Sequence, residues 1–329
     1  MDPNSDDRKL TRREFAQKAI AAAAAAACAG GLIPLLAGTV SSDEETKPDE
    51  STPPATTKPV IAVASGTEPR KLVAAAIKAL GGMEKFVGKG QRVFLKPNMS
   101  FDRAPEQAAN TNPEVVASLV ELCLQAGAAE VVVADRTLND PRRCYKRSGI
   151  QEAASKAGAK VVMLERDDDS VYAETEIPDG RSLKKWPLLK MALDADVIIN
   201  VPIAKHHSLA RLSLGMKNLM GLMGGERASI HGRIHRALPD LASRIRPKLT
   251  VVDAFRILVN NGPSGGRVSD VRATNLLLAS ADMVLADAYA ASLPEFGVKP
   301  ADIGYIKTAA EIGLGTMDIA AAEVIKVGG

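Results

Sequence analysis

Short apolar runs alternate with longer amphipathic stretches along the chain from residue 60 onward. Runs of about four to eight residues rich in Val, Ile and Leu predict strands, and apolar residues spaced three to four apart predict helices. The predicted strands cover residues 60–64, 92–96, 130–134, 160–164, 197–201, 248–253 and 274–279. The predicted helices cover residues 69–80, 113–125, 141–156, 183–193, 238–244, 283–293 and 300–312.

This alternation predicts the α/β fold class. Strands separated by helices form βαβ units, whose strands pair in a mostly parallel sheet with helices on both faces. The expected architecture is Rossmann-like, in one lobe or two, and spans residues 60–329. Only 3% of the residues are aromatic, so the core has to be built mainly from Ala, Val, Leu and Ile.

The first 59 residues have a different composition. Residues 11–18 contain the pair Arg12 and Arg13 followed by Phe15, and an Ala-rich apolar run follows at 19–37. This arrangement resembles a twin-arginine export signal. Residues 1–40 are therefore expected to be a signal cleaved near residues 37–41, or an uncleaved membrane anchor. Residues 41–59 contain four prolines among Ser, Thr, Asp and Glu, which predicts a disordered linker.

An export signal of this kind implies a partner and a location. We expect the twin-arginine translocation machinery to export the protein already folded, into the periplasm or another extracytoplasmic space. An amphipathic helix that happens to carry two arginines is the alternative explanation of the segment.

Charge and cysteine usage argue against two classes of function. The formal net charge is +3, without a basic patch interleaved with aromatic residues, which argues against nucleic-acid binding. The cysteines are Cys28, Cys123 and Cys144, and they form no CxxC motif, so no iron–sulfur cluster is expected. A Cys123–Cys144 disulfide and a buried free thiol at Cys123 both remain open.

Polar side chains follow the ends of several predicted strands. In open α/β sheets, ligands bind outside the carboxyl ends of the strands, so these side chains are expected to face one crevice. A single polar residue there could equally cap a helix or start a turn, but the whole set favours a site. The candidates for binding a substrate or small anion are Lys96, Asn98, Asp135, Asn200, Lys217, Asn218, Asp253 and Asn261.

All four histidines lie within residues 206–235. Lys205, His206 and His207 follow the strand at 197–201 and are the candidate catalytic residues, since imidazole suits proton transfer near neutral pH. His231 and His235 would share one face of a helix and are candidate ligands for a transition metal, although Gly232 weakens that helix. Whether a cofactor is bound stays open.

A segment rich in Gly and Met, residues 215–225, contains Lys217. Glycines permit close backbone approach, and backbone N–H groups there could cradle an anion together with this lysine. The segment lacks the order of residues found in a phosphate-binding loop, and no GxGxxG motif follows a predicted strand. A nucleotide site is therefore not indicated.

Several of these blocks together resemble the domain of unknown function family 362. The blocks are Leu95–Asn98, Asn112–Val116, Val132–Asp135, Ala195–Pro202, Lys205 with His207, Gly215–Gly221, Asp240–Ala242, Pro247–Asp253 and Asn261–Pro263. The resemblance covers about residues 60–295 and implies an α/β fold and frequent export signals. Some members carry ferredoxin-type cysteine motifs, which this chain lacks, and the family has no agreed reaction. The loop lysines and histidines are also similar in arrangement to nickel-dependent lactate racemases, by analogy alone.

Two functions are compatible with these features. One is an enzyme that acts on a small anionic substrate, with or without a metal. The alternative is a metal- or cofactor-binding maturation protein without catalysis of its own. A structural scaffold is a third interpretation, and the polar strand ends argue against it. The oligomeric state stays open.

Overall fold

The computed structural model describes residues 58–166 and 168–329. The expected export signal at 1–40 lies outside the described residues, and so does the expected linker apart from its last two positions. Within the described part of the chain, no helix combines the length and apolar character needed to span a bilayer.

A large, mostly parallel sheet organises the described chain. The strands are β1 (Val60–Ser65), β2 (Arg92–Pro97), β3 (Glu130–Val133), β4 (Lys160–Val161), β5 (Tyr172–Glu176), β6 (Lys185–Leu189), β7 (Val197–Val201), β8 (Ile203–His207), β9 (Arg211–Ser213), β10 (Leu249–Leu258), β11 (Val271–Ser280) and β12 (Glu323–Gly328). The main path runs in the order β12-β1-β11-β10-β7-β2-β3-β4. Strand β11 is antiparallel to both of its neighbours, and the other pairs along this path are parallel. The predicted α/β class is confirmed.

Helices cover both faces of this sheet. They are α1 (Pro69–Ala79), α2 (Pro113–Gln125), α3 (Pro141–Arg147), α4 (Ile150–Lys156), α5 (Lys190–Leu193), α6 (Gly215–Asn218), α7 (Ile234–Ile245), α8 (Met283–Ala291) and α9 (Gly304–Glu311). Successive strand residues point to opposite faces, so Phe94 joins the core beneath α7, α8 and α9, while Val93 and Leu95 join the core beneath α1 to α4.

Local interactions explain where α2 begins and why α3 and α4 are separate helices. The Asn112 side chain accepts a hydrogen bond from the backbone N–H of Glu114 and caps α2, with Pro113 in the first turn. The helix predicted at 141–156 is instead the pair α3 and α4. They are separated at Gly149, whose φ of 74° is a left-handed conformation that favours glycine.

The prediction of a helix at residues 183–193 was wrong. Residues 185–189 form strand β6, which pairs with β5 in a separate two-stranded antiparallel sheet, and only residues 190–193 are helical. Pro187 lies inside this stretch, where it would remove a helical hydrogen bond and clash with the preceding turn. In the strand, Leu188 and Leu189 are buried instead.

The cysteines of the described chain are not cross-linked. Cys123 and Cys144 are both free and buried. Burial raises the pKa of the Cys123 thiol to about 12 and that of the Cys144 thiol to about 11. Both side chains therefore act as small apolar core residues rather than as reactive thiols.

Helix α6 is held in place by a buried carboxylate from α8. Asp287 is completely buried, and its two oxygens accept hydrogen bonds from the backbone N–H groups of Gly215 (2.6 Å) and Met216 (2.9 Å). A Cβ atom at position 215 would lie 2.6 Å from Asp287 Oδ1, so only glycine permits this approach. This contact positions Lys217 and Asn218, which follow in the same helical turn.

Removing this carboxylate should destabilise the protein. In Asp287→Ala two buried N–H groups lose their acceptor, so we expect the free energy of unfolding to fall by roughly 2–4 kcal/mol. Asp287→Asn retains one oxygen and should lose less. Urea denaturation of both variants tests this, and equal stability of Asp287→Ala and the wild type would contradict the assignment.

Candidate functional site

A cavity of about 290 Å³ opens beside the carboxyl ends of the parallel strands. Six residues selected from the sequence line it: Asn98, Lys205, His207, Lys217, Asn218 and His231. They come from the segment after β2, from strand β8, from helix α6 and from the segment before α7.

The side chain of Asn218 links the strands behind the cavity. Its amide nitrogen donates to the backbone carbonyl of Lys96 (3.0 Å) and to Asn200 Oδ1 (2.9 Å). Its amide oxygen accepts hydrogen bonds from Lys96 Nζ (3.2 Å) and Asn98 Nδ2 (3.1 Å). An asparagine side chain can make about four hydrogen bonds, so every donor and acceptor position of the Asn218 amide is occupied.

Lys96 and Asp135 form a buried ion pair next to this network. Lys96 Nζ lies 2.8 Å from Asp135 Oδ1, and both side chains are fully buried. Burial lowers the pKa of Lys96, and the adjacent carboxylate opposes that shift. Asp135 Oδ2 accepts a hydrogen bond from the Met99 backbone N–H at 2.7 Å. These two predicted residues therefore support the cavity from behind rather than line it.

Gly221 shows how closely the Gly-rich segment packs on this ion pair. A Cβ atom at this position would lie 1.8 Å from Asp135 Oδ1 and 2.6 Å from Lys96 Nζ. Any side chain would displace the pair, so the glycine is required by the close approach of the backbone.

Lys205 is a buried lysine with a different environment. Only 1% of it is exposed, and its Nζ donates to Asn98 Oδ1 at 3.1 Å and to the carbonyl of Ala109 at 2.5 Å. The same atom lies 4.4 Å from the centre of the Phe101 ring, a cation–π contact. Burial, together with the nearby charge of Lys217, holds the pKa of Lys205 well below its ordinary value.

Lys217 and Arg227 add two further cations to the cavity. Lys217 Nζ contacts the thioether sulfur of Met220 at 3.0 Å. Burial, and after it the charge of Arg227, lowers the pKa of Lys217 to about 7. Arg227 donates to the backbone carbonyls of Arg136, Thr137 and Met220. Burial lowers the pKa of Arg227 too, but a guanidinium group stays protonated at neutral pH.

No carboxylate of the described chain lies at the cavity wall beside these three side chains, although Asp135 behind the wall partly offsets the charges of Lys205 and Arg227. Among the described residues that line the cavity, none is Asp or Glu. Buried charges in proteins are ordinarily paired, because an unpaired charge loses its hydration without compensation. The described wall of this cavity therefore carries basic side chains that no carboxylate of the wall neutralises.

His207 is placed as a neutral hydrogen-bond donor. It is 5% exposed, and its Nδ1 accepts hydrogen bonds from the backbone N–H groups of Leu209 (3.1 Å) and Ala210 (3.2 Å). Burial and the nearby Lys217 lower the pKa of His207 to about 3. We infer that the ring proton is on Nε2, since Nδ1 is the acceptor. His231 stacks on this ring with centroids 6.0 Å apart.

Besides Lys96, Asp135 and Asn200, which lie behind the cavity wall, four residues selected from the sequence lie outside it. His206 precedes His207 in the same strand and accepts a hydrogen bond from the Gly262 N–H instead. Asp253 accepts hydrogen bonds from the N–H groups of Asn112 and Phe255. Asn261 is exposed and donates to Asp270, and His235 stacks on Tyr305. Alternate strand residues point to opposite faces, which explains the separation of His206 from His207.

The predicted metal ligands have different neighbours. His231 lies against His207, whereas His235 packs against Tyr305 and Gly304. In the described part of the chain, no group of three or more His, Cys, Asp or Glu side chains is placed to hold a metal ion. The His231–His235 metal site, and the metal- or cofactor-carrier function that depends on it, stay predictions.

Among the residues that the sequence analysis did not select, Arg227 and Phe101 are the two that contribute a charge and an aromatic ring to the cavity wall. Neither lies directly at the end of a strand. Arg227 comes two residues after the Gly224–Gly225 pair. Its position beside these glycines is the signal by which the sequence could have identified Arg227, because a basic residue beside a Gly-rich segment can complete an anion site.

Lys205 and Lys96 should have opposite effects on stability when each is replaced by Met. Lys205→Met removes a buried charge without a carboxylate partner, so we expect the melting temperature to rise by about 2–4 °C, near 1 kcal/mol for a chain of this size. The lowered pKa of Lys205 means that the folded protein binds fewer protons than the unfolded chain. The gain should therefore grow as the pH falls from about 10 towards 7.

Lys96→Met is the matched comparison. It leaves Asp135 buried without its partner and should destabilise by roughly 3–5 kcal/mol. Thermal denaturation of both variants at pH 7 and pH 9.5 makes the measurement. Equal destabilisation by the two substitutions would show that Lys205 is as well compensated as Lys96.

Known proteins resemble this chain in sequence or in structure. A thylakoid-associated protein of Synechocystis is 31% identical over 219 residues, which is 64% of this chain and 65% of that protein, so the chain spans just under two thirds of its length. The lactate racemase apoprotein of Thermoanaerobacterium thermosaccharolyticum matches with 13% identity and a TM-score of 0.45 over 68% of this chain and 54% of that chain. A Thermotoga maritima protein matches with 13% identity and a TM-score of 0.41 over 75% and 60%.

The family assignment rests on sequence. The model described as domain of unknown function (DUF362) matches residues 93–292, which contain every residue that forms the cavity wall. The two structural matches are too distant to support an argument about function. The chain belongs to the DUF362 family.

Proposed function

We propose that the protein is an enzyme that acts on a small organic anion in the cavity. The observation that carries this proposal is the set of three cationic side chains, Lys205, Lys217 and Arg227, at a wall without a carboxylate. Retaining such a set costs stability. That cost is understandable if an anionic ligand supplies the missing charge.

The cavity also limits the size and character of the ligand. A volume of about 290 Å³ corresponds to roughly ten water molecules, which suits a compact anion rather than a nucleotide. Phe101, Leu138 and Met220 contribute apolar surface beside the cations. An organic acid with a short carbon chain fits this combination better than a bare inorganic ion.

Each polar group has a distinct role in the proposal. Lys205 and Arg227 hold the anionic group of the substrate, and the Nε2–H group of His207 donates a hydrogen bond to an uncharged oxygen. Lys217 is the reactive residue, because its pKa of about 7 lets it change protonation state near neutral pH. A neutral imidazole donor can polarise a carbonyl group without being a source of protons.

Anion binding should depend on Lys205, Arg227 and pH. Propanoate should bind saturably, and Lys205→Met or Arg227→Met should each weaken binding roughly tenfold, the value of one lost hydrogen bond to a charged group. The charge of the bound anion also favours protonated Lys217, whose pKa without ligand is about 7. The dissociation constant should therefore rise as the pH increases above 7, by less than about tenfold per pH unit because the anion does not contact Lys217 directly.

Isothermal titration calorimetry in buffers of different ionisation enthalpy measures both the affinity and the uptake of a proton. Lys156→Met is the matched control, because Lys156 is exposed and paired with Glu152 at 2.6 Å. Inorganic phosphate serves as a second probe. If neither anion binds, or if the affinity is unchanged in Lys205→Met, the cavity is not an anion site and the proposal fails.

We also propose that the protein works outside the cytoplasm. The support is Arg12 and Arg13 ahead of the apolar run at 19–37, a pattern typical of twin-arginine signals. In a host with this export pathway, changing both arginines to Lys should retain the protein in the cytoplasm, as measured by cell fractionation. Export of the double variant at the wild-type level would refute this.

A further inference from the structure

Lys217 differs from the other lysines around the site in what its amine contacts. Lys96 Nζ lies 2.8 Å from a carboxylate oxygen, and Lys205 Nζ donates to two oxygen atoms. Within the described chain, the polar contact of Lys217 Nζ is the sulfur of Met220 at 3.0 Å. A thioether is a weak acceptor. The surroundings therefore do little to stabilise an ammonium ion at this position.

The same amine lies at the wall of a cavity that carries two other cations. Arg227 and Lys205 both line the cavity with Lys217, and the charge of Arg227 opposes protonation of the Lys217 amine. An exposed lysine is less than about 0.1% unprotonated at pH 7, whereas a pKa of about 7 leaves about half as free amine. A lysine beside another cation in a desolvated pocket is a recognised way to obtain a nucleophilic amine.

A hydrogen-bond donor for a carbonyl oxygen lies in the same cavity. His207 lines it, and the two backbone N–H groups bound at Nδ1 keep the ring proton on Nε2. The cavity thus combines an amine nucleophile, cations for a carboxylate and a neutral donor for a carbonyl.

The geometry points to a substrate that carries both a carboxylate and a carbonyl group, an oxo acid, which Lys217 attacks to form an imine. This inference rests on the proposed function, because Lys205 and Arg227 have to hold the carboxylate. The Nζ lone pair forms a bond to the carbonyl carbon while the carbonyl oxygen gains a proton and the nitrogen loses one. The resulting carbinolamine then releases its hydroxyl group with the second N–H proton as one water molecule, leaving a C=N bond. No oxidant or reductant is consumed.

The test traps the imine in the full-length protein. Pyruvate is added with sodium cyanoborohydride, which reduces an imine to a stable secondary amine, and peptide mapping by mass spectrometry locates the adduct. We expect one adduct, at Lys217. It should form at least roughly tenfold faster than adducts at exposed lysines, because a far larger fraction of Lys217 is present as the free amine. The rate should saturate with pyruvate and should fall as the pH drops below 7.

Variants separate a specific imine from general labelling. Lys217→Arg keeps the charge but cannot form an imine, so the adduct should disappear, whereas Lys156→Arg should react like the wild type. Acetone, a carbonyl compound without a carboxylate, should label Lys217 more slowly than pyruvate. If Lys217→Arg does not fold, mapping of the wild-type adduct still decides, since labelling of Lys156 as fast as of Lys217 overturns the inference.

A matched probe distinguishes this inference from the proposed function. Propanoate has the carboxylate and chain length of pyruvate but no carbonyl group. If propanoate binds, yet pyruvate forms no adduct at Lys217, the inference of an imine is wrong and the proposed anion site stands. If neither compound binds, both proposals fail together.

Discussion

The amide side chain of Asn218 is the contact on which the geometry of the cavity depends. It joins Lys96 of β2, Asn200 of β7 and Asn98 after β2, and it lies on the short helix α6 that also carries Lys217. Because all its hydrogen-bonding positions are used, the amide can occupy one orientation only. The register of the parallel strands is thereby coupled to the position of Lys217, while Asp287 binds the first residues of the same helix.

The two buried lysines of the site illustrate how a protein separates structure from function. Lys96 has Asp135 as a partner and supports the fold, with the backbone at Gly221 packed against the pair. Lys205 has oxygen and aromatic contacts but no carboxylate. A charge that the protein itself compensates incompletely is the expected cost of the anion site that we propose. The two lysines are buried to nearly the same extent, so what distinguishes them is that Lys96 has a carboxylate partner and Lys205 does not.

The sequence predicted the fold well because strand periodicity and the rule for strand ends are local signals. Lys96, Asn98, Asp135 and Asn200 all lie at or directly after the carboxyl ends of parallel strands, where they were expected. What the sequence could not predict depends on tertiary contacts. A polar residue at a predicted strand end can instead lie inside a longer strand and bind the backbone, as Asp253 does within β10 for Asn112 and Phe255. Arg227 enters the cavity from a segment distant from any strand end. Strand β6 was predicted as part of a helix because apolar residues within 183–193 are spaced three to four apart.

Anion binding and a nucleophilic Lys217 impose opposite demands on the same charges. A carboxylate next to Lys217 would raise the pKa of its amine and so reduce the free amine needed for attack. The conflict is removed if the carboxylate lies against Lys205 and Arg227 while the carbonyl carbon faces Lys217. Two features favour this division: Arg227 is fixed by three backbone carbonyls, and Lys205 is fixed by Asn98 and Ala109. Among the described residues, the polar contact of the Lys217 amine is the thioether sulfur of Met220, a weak acceptor. Lys217 is therefore the one of the three cations that can move towards a bound carbonyl without breaking a strong hydrogen bond.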